Sequence, residues 1–304
     1  MKSALSPKDL GAAIGVSESS LKRWADSGLL RVARTAGGHR RIQLQEAIRF
    51  VRDQGFRIER PDILGLEIEA TETSATAHGD PATAFHSALC AGDAARARAL
   101  ALNAYLEGMP LAALVDDYLA PAMRSIGDYW RHTEEGILTE HRAADICNQI
   151  LGRIRGLVSG DEERPAAVGG APVDEPYVLP SLMAASVLAS EGWHDINLSA
   201  HTPSGVLAQA AAEADARLVW LALSSERNIS AIRRLLEDLK DALAQRDVEA
   251  AIVVGGPALT GHSALNCDGV YHARSMNELT AFAHGVRRST ARPGGHRAHR
   301  NPHA

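Results

Sequence analysis

Apolar residues recur at intervals of three and four positions through the middle of the chain, from residue 82 to residue 158. This spacing is typical of helices with one buried face. It predicts four helices, at Ala82–Ala91, Ala94–Glu107, Leu111–Tyr129 and Leu138–Val158. Glycine and proline break the pattern over only a few positions, at Gly92-Asp93 and Gly108-Met109-Pro110. Because short connections join antiparallel neighbours, residues 82–160 are predicted to form a four-helix bundle.

Beyond residue 166 the pattern changes to short apolar runs that alternate with helical stretches. The runs predict strands at Ala166–Gly169, Ile196–Leu198, Arg217–Leu223, Ala250–Val254 and Gly269–His272. This alternation predicts a doubly wound, Rossmann-like α/β domain with a parallel sheet over residues 166–288. Ligands of such sheets lie beyond the carboxyl ends of the strands, where Ser224, Gly255 and Gly256 fall. The chain has no GxGxxG motif, so a dinucleotide site has little support.

The first 60 residues carry a third pattern, with two short helices joined by a tight turn at residues 15–17. Ser6-Pro7 suits a helix start, because a hydroxyl caps free N–H groups and proline fits the first helical position. Two strands, at 29–32 and 40–42, flank the glycine-rich hairpin turn 35–39 and precede a third helix. The order predicts a winged helix-turn-helix domain over residues 1–60.

Charge sharpens this prediction, because the net charge of −5 hides a basic patch in the first domain. Arginines Arg31, Arg34, Arg40 and Arg41 fall on or beside the hairpin with no acid between them. Such side chains suit phosphates and guanine edges. The candidate DNA contacts on the second helix and the hairpin are Lys22, Arg23, Arg34, Gly38, His39, Arg40 and Arg41. A merely solvated basic face is the alternative, and the helix-turn-helix with a Gly-Gly wing favours double-stranded DNA.

This segment resembles the winged-helix domain of the MerR family of transcription regulators. The resemblance is carried by residues 10–17, 21–24, 28–30 and 34–42. It implies a dimer on paired DNA half-sites. Many members dimerise through a long coiled coil, but this sequence shows no sustained heptad. Residues 61–81 are acidic and then rich in Thr, Ser and Ala, which is typical of a linker.

The stretch from Trp130 to His141 places an indole before an adjacent carboxylate and imidazole, Glu140 and His141, near the ends of two helices. Taken alone, it is equally well an interhelical turn with a buried tryptophan and a solvated Glu-His pair. A bundle followed by this α/β domain resembles cobalamin-binding modules, and behind a MerR head it resembles the CarH/LitR-type photoreceptor repressors.

That resemblance implies a role for each matching position. Trp130, Glu140 and His141 would cover the upper face of adenosylcobalamin, and Ser224 with Gly255-Gly256 would line its nucleotide tail. Light would cleave the cobalt–carbon bond, dissociate a tetramer and release DNA. The expected protein is therefore a repressor that binds an operator as a homo-oligomer, either dimer or tetramer.

One departure from this family concerns the cobalt ligand. Modules of this type carry Asp-x-His-x-x-Gly after the first strand, whereas residues 175–180 place Tyr177 at the histidine position and Pro180 at the glycine position. Phenol is a poor cobalt ligand unless deprotonated, and its unperturbed pKa is about 10. His132 and His201 are the remaining candidate metal ligands. Cobalamin bound without this ligand, another chromophore such as a bilin or haem, and a ligand-free regulator all stay open.

The remaining sequence features bear on compartment and class. Three distant cysteines, Cys90, Cys147 and Cys267, favour neither a disulfide framework nor a thiolate zinc site. The polar N-terminus and the lack of a long apolar run predict a cytoplasmic protein. The basic segment 289–304 is predicted to be disordered. No substrate barrel accompanies the module, so a cobalamin-dependent enzyme is not expected.

Overall fold

The computed structural model describes residues 4–66, 80–130, 133–158, 164–260 and 267–290, without the side chains of 129, 130, 289 and 290. The predicted residues His132 and 291–304, and most of the predicted linker, lie outside these ranges. We call residues 4–66 the head, residues 80–158 the helical segment and residues 164–290 the sheet module.

The head combines three helices with a small antiparallel sheet. Its helices are α1 (Pro7–Ile14), α2 (Glu18–Asp26) and α3 (Leu44–Gln54), and its strands are β1 (Ala4–Leu5), β2 (Ala33–Arg34) and β3 (Arg40–Gln43). The strand order is β1-β3-β2. Ser6 caps α1 in a reciprocal pair of hydrogen bonds with Asp9. Gly15 then ends α1 in the left-handed conformation (φ 70°), and Ser17 caps α2, so the turn forms as expected.

The first strand of the hairpin lies further along the chain than the predicted 29–32. The backbone N–H groups of Leu29 and Leu30 both donate to the carbonyl of Trp24 and so close the end of α2. The N–H of Arg31 donates to the buried carboxylate of Glu46 at 2.8 Å. Because these donors are taken, pairing with β3 begins only at Ala33.

The helical segment contains α4 (Pro81–Ala91), α5 (Ala94–Leu106), α6 (Leu111–Leu114), α7 (Ala120–Trp130) and α8 (Glu134–Arg155). Asp80 and Asp93 cap α4 and α5, and Gly92 ends α4 in the left-handed conformation. The single helix predicted from Leu111 is interrupted by a π-helical turn, Val115–Leu119. In that turn Asp116 accepts hydrogen bonds from the backbone N–H groups of Met276 and Asn277, at 2.8 and 3.0 Å. The irregular turn therefore presents a carboxylate to the sheet module.

Within the described residues, the sheet module has a parallel sheet of five strands, which confirms the prediction of a doubly wound fold. The strands are β4 (Ala166–Gly170), β5 (His194–Asn197), β6 (Leu218–Ala222), β7 (Ala251–Gly255) and β8 (Val270–Ala273). Their order is β5-β4-β6-β7-β8. Helices α9 (Leu179–Ser190) and α12 (Met276–Thr290) cover one face, and α10 (Ser204–Glu213) and α11 (Ile229–Ala244) cover the other. The runs of β6 and β7 are almost wholly apolar because both faces are covered.

The three parts pack against one another through named contacts. Arg52 of α3 donates to the carbonyl of Met109 at 3.1 Å, and its guanidinium carbon lies 3.7 Å from the centre of the Tyr105 ring. Gln45 donates to the carbonyl of Gly156. Arg155, at the end of α8, pairs with Asp195 of β5 at 2.8 Å. Leu64, within the predicted linker, is buried in a short 3₁₀ helix of the head.

None of the helices within the described residues is long and apolar enough to cross a membrane.

Candidate functional site

The carboxyl ends of β4 and β6 form the place where a ligand of this fold is expected. The chain leaves β4 towards β5 on one side and continues from β6 towards β7 on the other. Connections that part in this way open a crevice at the carboxyl edge, which is the usual ligand position in doubly wound sheets. We call this region the carboxyl edge.

A buried carboxylate, Glu175, occupies the crevice. It follows β4, has no exposed surface, and accepts hydrogen bonds from the backbone N–H groups of Ser224 at 2.8 Å and Ser225 at 2.7 Å. The hydroxyl of Ser225 donates to its second oxygen at 2.9 Å. Three donors therefore hold one negative charge between the ends of β4 and β6. Sequence reasoning did not assign Glu175 to a site, and its only signal was its position at the start of the altered motif.

Beneath the carboxyl edge, the indole of Trp220 fills the space between β4, β6 and the start of α9. It lies so close to Gly169 that a Cβ on that glycine would come within 2.0 Å of the ring. Its N–H donates to the hydroxyl of Ser181, which donates in turn to the side-chain oxygen of Asn197 at 2.8 Å. These polar groups are thus satisfied inside the protein.

The predicted tail-lining residues Ser224, Gly255 and Gly256 lie at this edge, and the glycines have a structural reason to be there. Gly256 has φ 126°, and a Cβ on it would meet the carbonyl oxygen of Leu223 at 2.2 Å. A Cβ on Gly255 would meet the carbonyl oxygen of Ala273 at 2.9 Å. The hydroxyl of Ser224 is buried and has no hydrogen-bond partner in the described structure.

Four apolar side chains are exposed at the carboxyl edge near β4 and β5, beside the exposed Asp174. The exposed fractions are 48% for Tyr177, 40% for Val178, 48% for Val173 and 48% for Val206. Tyr177 is therefore about half-exposed, and Pro180 lies in the first turn of α9. His201, in the loop after β5, is exposed in the left-handed conformation (φ 54°). Among the described residues, no group of three or more His, Cys, Asp or Glu side chains could hold a metal ion.

The predicted upper-face residues lie around the start of α8. Glu140 is half-buried and His141 is exposed, and neither side chain makes a hydrogen bond within the described ranges. Ile137 and Leu138 of the same helix are 50% and 62% exposed. Trp130 ends α7, but its side chain lies outside the described residues. Because α8 is 22 residues long, packs along α9 and ends beside the start of β5, its first turns lie towards the carboxyl edge.

The second candidate surface is the basic face of the head, which we define as α2 and the β2–β3 hairpin. A cleft of about 410 Å³ joins the start of α1, Lys22 and residues 38–41, so helix and hairpin share one surface. Arg23, Arg34 and Arg41 are exposed and have no ion-pair partner in the described part of the chain.

The other predicted basic-face residues take part in contacts within the head. Lys22 pairs with Glu18 at 2.8 Å, which lowers the pKa of that carboxyl. Arg40 pairs with Asp26, while Gly38 (φ 77°) and His39 form the hairpin turn.

Known proteins match this chain in both its helical segment and its fold. Residues 82–155 match the family model of the B12 binding domain. The structure is similar to the monomethylamine corrinoid protein of Methanosarcina barkeri, with a TM-score of 0.51 and 16% identity over 66% of this chain and 96% of that one. No curated protein matches the chain significantly.

Two further solved structures are more distant. One is a cobalamin-binding protein of Desulfitobacterium hafniense, with a TM-score of 0.35 and 11% identity over 68% of this chain and 98% of that one. The other is the methanol:cobalamin methyltransferase complex of Methanosarcina barkeri, with a TM-score of 0.38 and 12% identity over 89% and 92%. The helical segment thus matches the B12 binding domain, and the fold is similar to that of a corrinoid protein.

Proposed function

We propose that the chain is a DNA-binding transcription regulator, acting as a repressor, whose helical segment and sheet module sense a corrinoid. The observation that carries this proposal is that one chain contains both a basic face and a segment of the B12-binding family. An exposed basic face on the head is held by direct contacts to a segment that matches the B12 binding domain.

The DNA-binding part of the proposal rests on geometry and charge. A helix after a tight turn and a glycine-tipped hairpin share one cleft. On these two elements Arg23, Arg34 and Arg41 are exposed and have no carboxylate partner in the described residues. Guanidinium groups in this state suit backbone phosphates and guanine edges. A homodimer would present two such faces to paired half-sites.

The sensing part rests on the family match and on the apolar carboxyl edge. Exposed apolar residues on α8 and beyond β4 and β5 suit the flat face of a corrin ring. Trp130, Glu140 and His141 are the positions that the resemblance to photoreceptor repressors assigns to the upper, adenosyl face. A bound adenosylcobalamin would supply a light-labile cobalt–carbon bond. The lower half does not fit that family, because Tyr177 offers no imidazole and Glu175 and Trp220 fill the crevice.

The test is an absorption spectrum of the full chain mixed with adenosylcobalamin in the dark, desalted, and then illuminated, with sizing of both samples. We expect a retained corrinoid spectrum that changes with light together with a change in oligomeric size. Trp130→Ala is expected to keep the fold but weaken corrinoid-dependent assembly, whereas Leu29→Ala, an exposed apolar position in the head, leaves it unchanged. Equal assembly of both variants and the wild type, with and without corrinoid, would contradict the role of Trp130.

A second candidate is the same DNA-binding head with a module that takes a bilin or haem, or no ligand. The specific observation in its favour is that Glu175 already satisfies the N–H groups at the end of β6. Corrinoid that washes away on desalting, and colour that appears only on co-expression with bilin or haem synthesis, would select the chromophore form. A colourless protein that still binds DNA would select the ligand-free form.

A further inference from the structure

Glu175 is a fully buried carboxylate that no arginine or lysine neutralises among its described hydrogen-bond partners. Burying such a charge is costly unless several donors compensate it. Here two backbone N–H groups and one hydroxyl do so, and they come from the end of β6, 49 and 50 residues further along the chain. The carboxylate therefore fastens the loop after β4 to the end of β6.

The donors that Glu175 uses are those that a bound ligand would otherwise find at this crevice. Successive backbone N–H groups at a strand end form a concave site for negative or polar ligand atoms. In this chain the protein supplies the acceptor itself, so a phosphate or amide of a ligand has no free N–H pair there. The indole of Trp220 closes the space beneath, between β4 and α9. Two side chains, Glu175 from the loop after β4 and Trp220 from β6, thus occupy the crevice.

The outer surface of the same edge is left open. Val173, Tyr177, Val178 and Val206 expose apolar area there, each with at least 40% of its surface in solvent. A flat, largely apolar ligand face can be covered by such a surface without entering the sheet. The carboxyl edge therefore suits the face of a ring but offers no site for a long polar tail.

We propose that the sheet module recognises a corrinoid by the face of its ring, and that the nucleotide tail, with its base, stays outside the sheet. This inference rests on the proposed corrinoid-sensing function. Glu175 acts as an internal substitute for the tail's polar groups, and Trp220 acts as an internal substitute for its bulk. Recognition of the ligand then depends little on whether a nucleotide is attached to the ring.

The decisive experiment compares adenosylcobalamin with adenosylcobinamide, which has the same ring and upper ligand but lacks the nucleotide and its base. Both are titrated into the full chain in the dark, and the visible spectrum of the bound form is recorded. We expect the two dissociation constants to agree within about threefold, a difference of less than 1 kcal/mol.

The possible outcomes distinguish failure of this inference from failure of the proposed corrinoid-sensing function. A preference for adenosylcobalamin of about a hundredfold, near 3 kcal/mol, would overturn the inference and leave corrinoid sensing intact. Binding of neither compound would overturn corrinoid sensing and the inference with it.

Variants of the loop after β4 test the part played by Glu175. Glu175→Ala frees the N–H groups of Ser224 and Ser225 and is expected to raise the preference for the complete cofactor by about tenfold, the value of one charge-assisted hydrogen bond. Asp174→Asn is the matched control, because it removes a charge from the neighbouring exposed position, and asparagine accepts its φ of 65°. An unchanged preference in folded Glu175→Ala would remove Glu175 from the inference. Should that variant fail to fold, the ratio measured on the wild type decides alone.

Discussion

The basic face of the head and the carboxyl edge of the sheet treat their polar groups in opposite ways. On the basic face, Arg23, Arg34 and Arg41 extend into solvent without carboxylate partners in the described residues. At the carboxyl edge, Glu175 takes the N–H groups of Ser224 and Ser225 for the protein itself. These three arginines have no internal carboxylate partner among the described residues, whereas the two N–H groups at the end of β6 are bonded within the protein.

This difference indicates what kind of partner each surface suits. Unpaired guanidinium groups in solvent lose little on binding a phosphate and displace counterions when they do so. A buried, satisfied carboxylate has to be displaced before its donors become available, which costs several hydrogen bonds at once. We therefore expect charge to dominate recognition at the head, and apolar contact to dominate at the sheet.

The largest expected effect comes from removing the Glu175 carboxylate at the carboxyl edge. Glu175→Ala leaves the N–H groups of Ser224 and Ser225 without their acceptor and frees the loop after β4. We expect a loss of about 3 kcal/mol in the free energy of unfolding, since each unpaired buried group costs about 1–3 kcal/mol. A urea titration of the full chain measures it.

Asp174→Asn is the control for that loss and should change stability by less than about 0.5 kcal/mol, as an exposed substitution usually does. A loss below about 1 kcal/mol in Glu175→Ala would show that the donors find water as readily as they find the carboxylate, and the edge would not be closed.

The second-largest expected effect comes from removing two arginines from the basic face. Arg34→Ala with Arg41→Ala should weaken binding to mixed-sequence duplex DNA by about tenfold or more and reduce the salt-dependence slope by about 2, since each phosphate contact contributes about 0.9. Fluorescence anisotropy over a range of salt concentrations gives both quantities.

Arg234→Ala, on the exposed side of α11 in the sheet module, removes the same type of charge and should leave affinity and slope unchanged. Equal slopes for the double variant and the wild type would mean that the hairpin arginines contact no phosphate, and the basic face would then be only a solvated surface.

The two surfaces also differ in how far sequence alone could predict them. The hairpin cations stand within a few residues of one another, and helix caps such as Ser17 act over three residues, so local pattern reveals both. The buried strands β6 and β7 are also predictable, because a sheet covered on both faces requires continuous apolar runs.

Long-range hydrogen bonds account for what the sequence could not predict. The partners of Glu175 lie about 50 residues away, and the π-helical turn carries Asp116, whose backbone partner Met276 lies 160 residues away. The first hairpin strand starts late because Glu46, 15 residues on, takes the N–H of Arg31. Pattern reasoning has no access to such pairings, since they depend on the finished packing.

The smallest expected effect concerns the contact between the head and the helical segment. Arg52 packs over Tyr105, donates to Met109, and keeps one guanidinium nitrogen buried without a partner in the described structure. Burial lowers the pKa of Arg52, the direction expected for a cation held away from water. Because the gain over the ring is partly offset by this cost, Arg52→Gln should destabilise the full chain by only about 0.5–1 kcal/mol.

The location of the Arg52 effect matters more than its size. Amide hydrogen exchange should quicken in α3 and stay unchanged in β4 to β8, because the substitution loosens the head without touching the sheet. Arg57→Gln, at an exposed position just beyond α3, should change neither. Faster exchange throughout the sheet module in Arg52→Gln would mean that head and sheet unfold as one unit. The basic face and the carboxyl edge would then belong to one cooperative unit. A ligand that stabilises the carboxyl edge would in that case also stabilise the head.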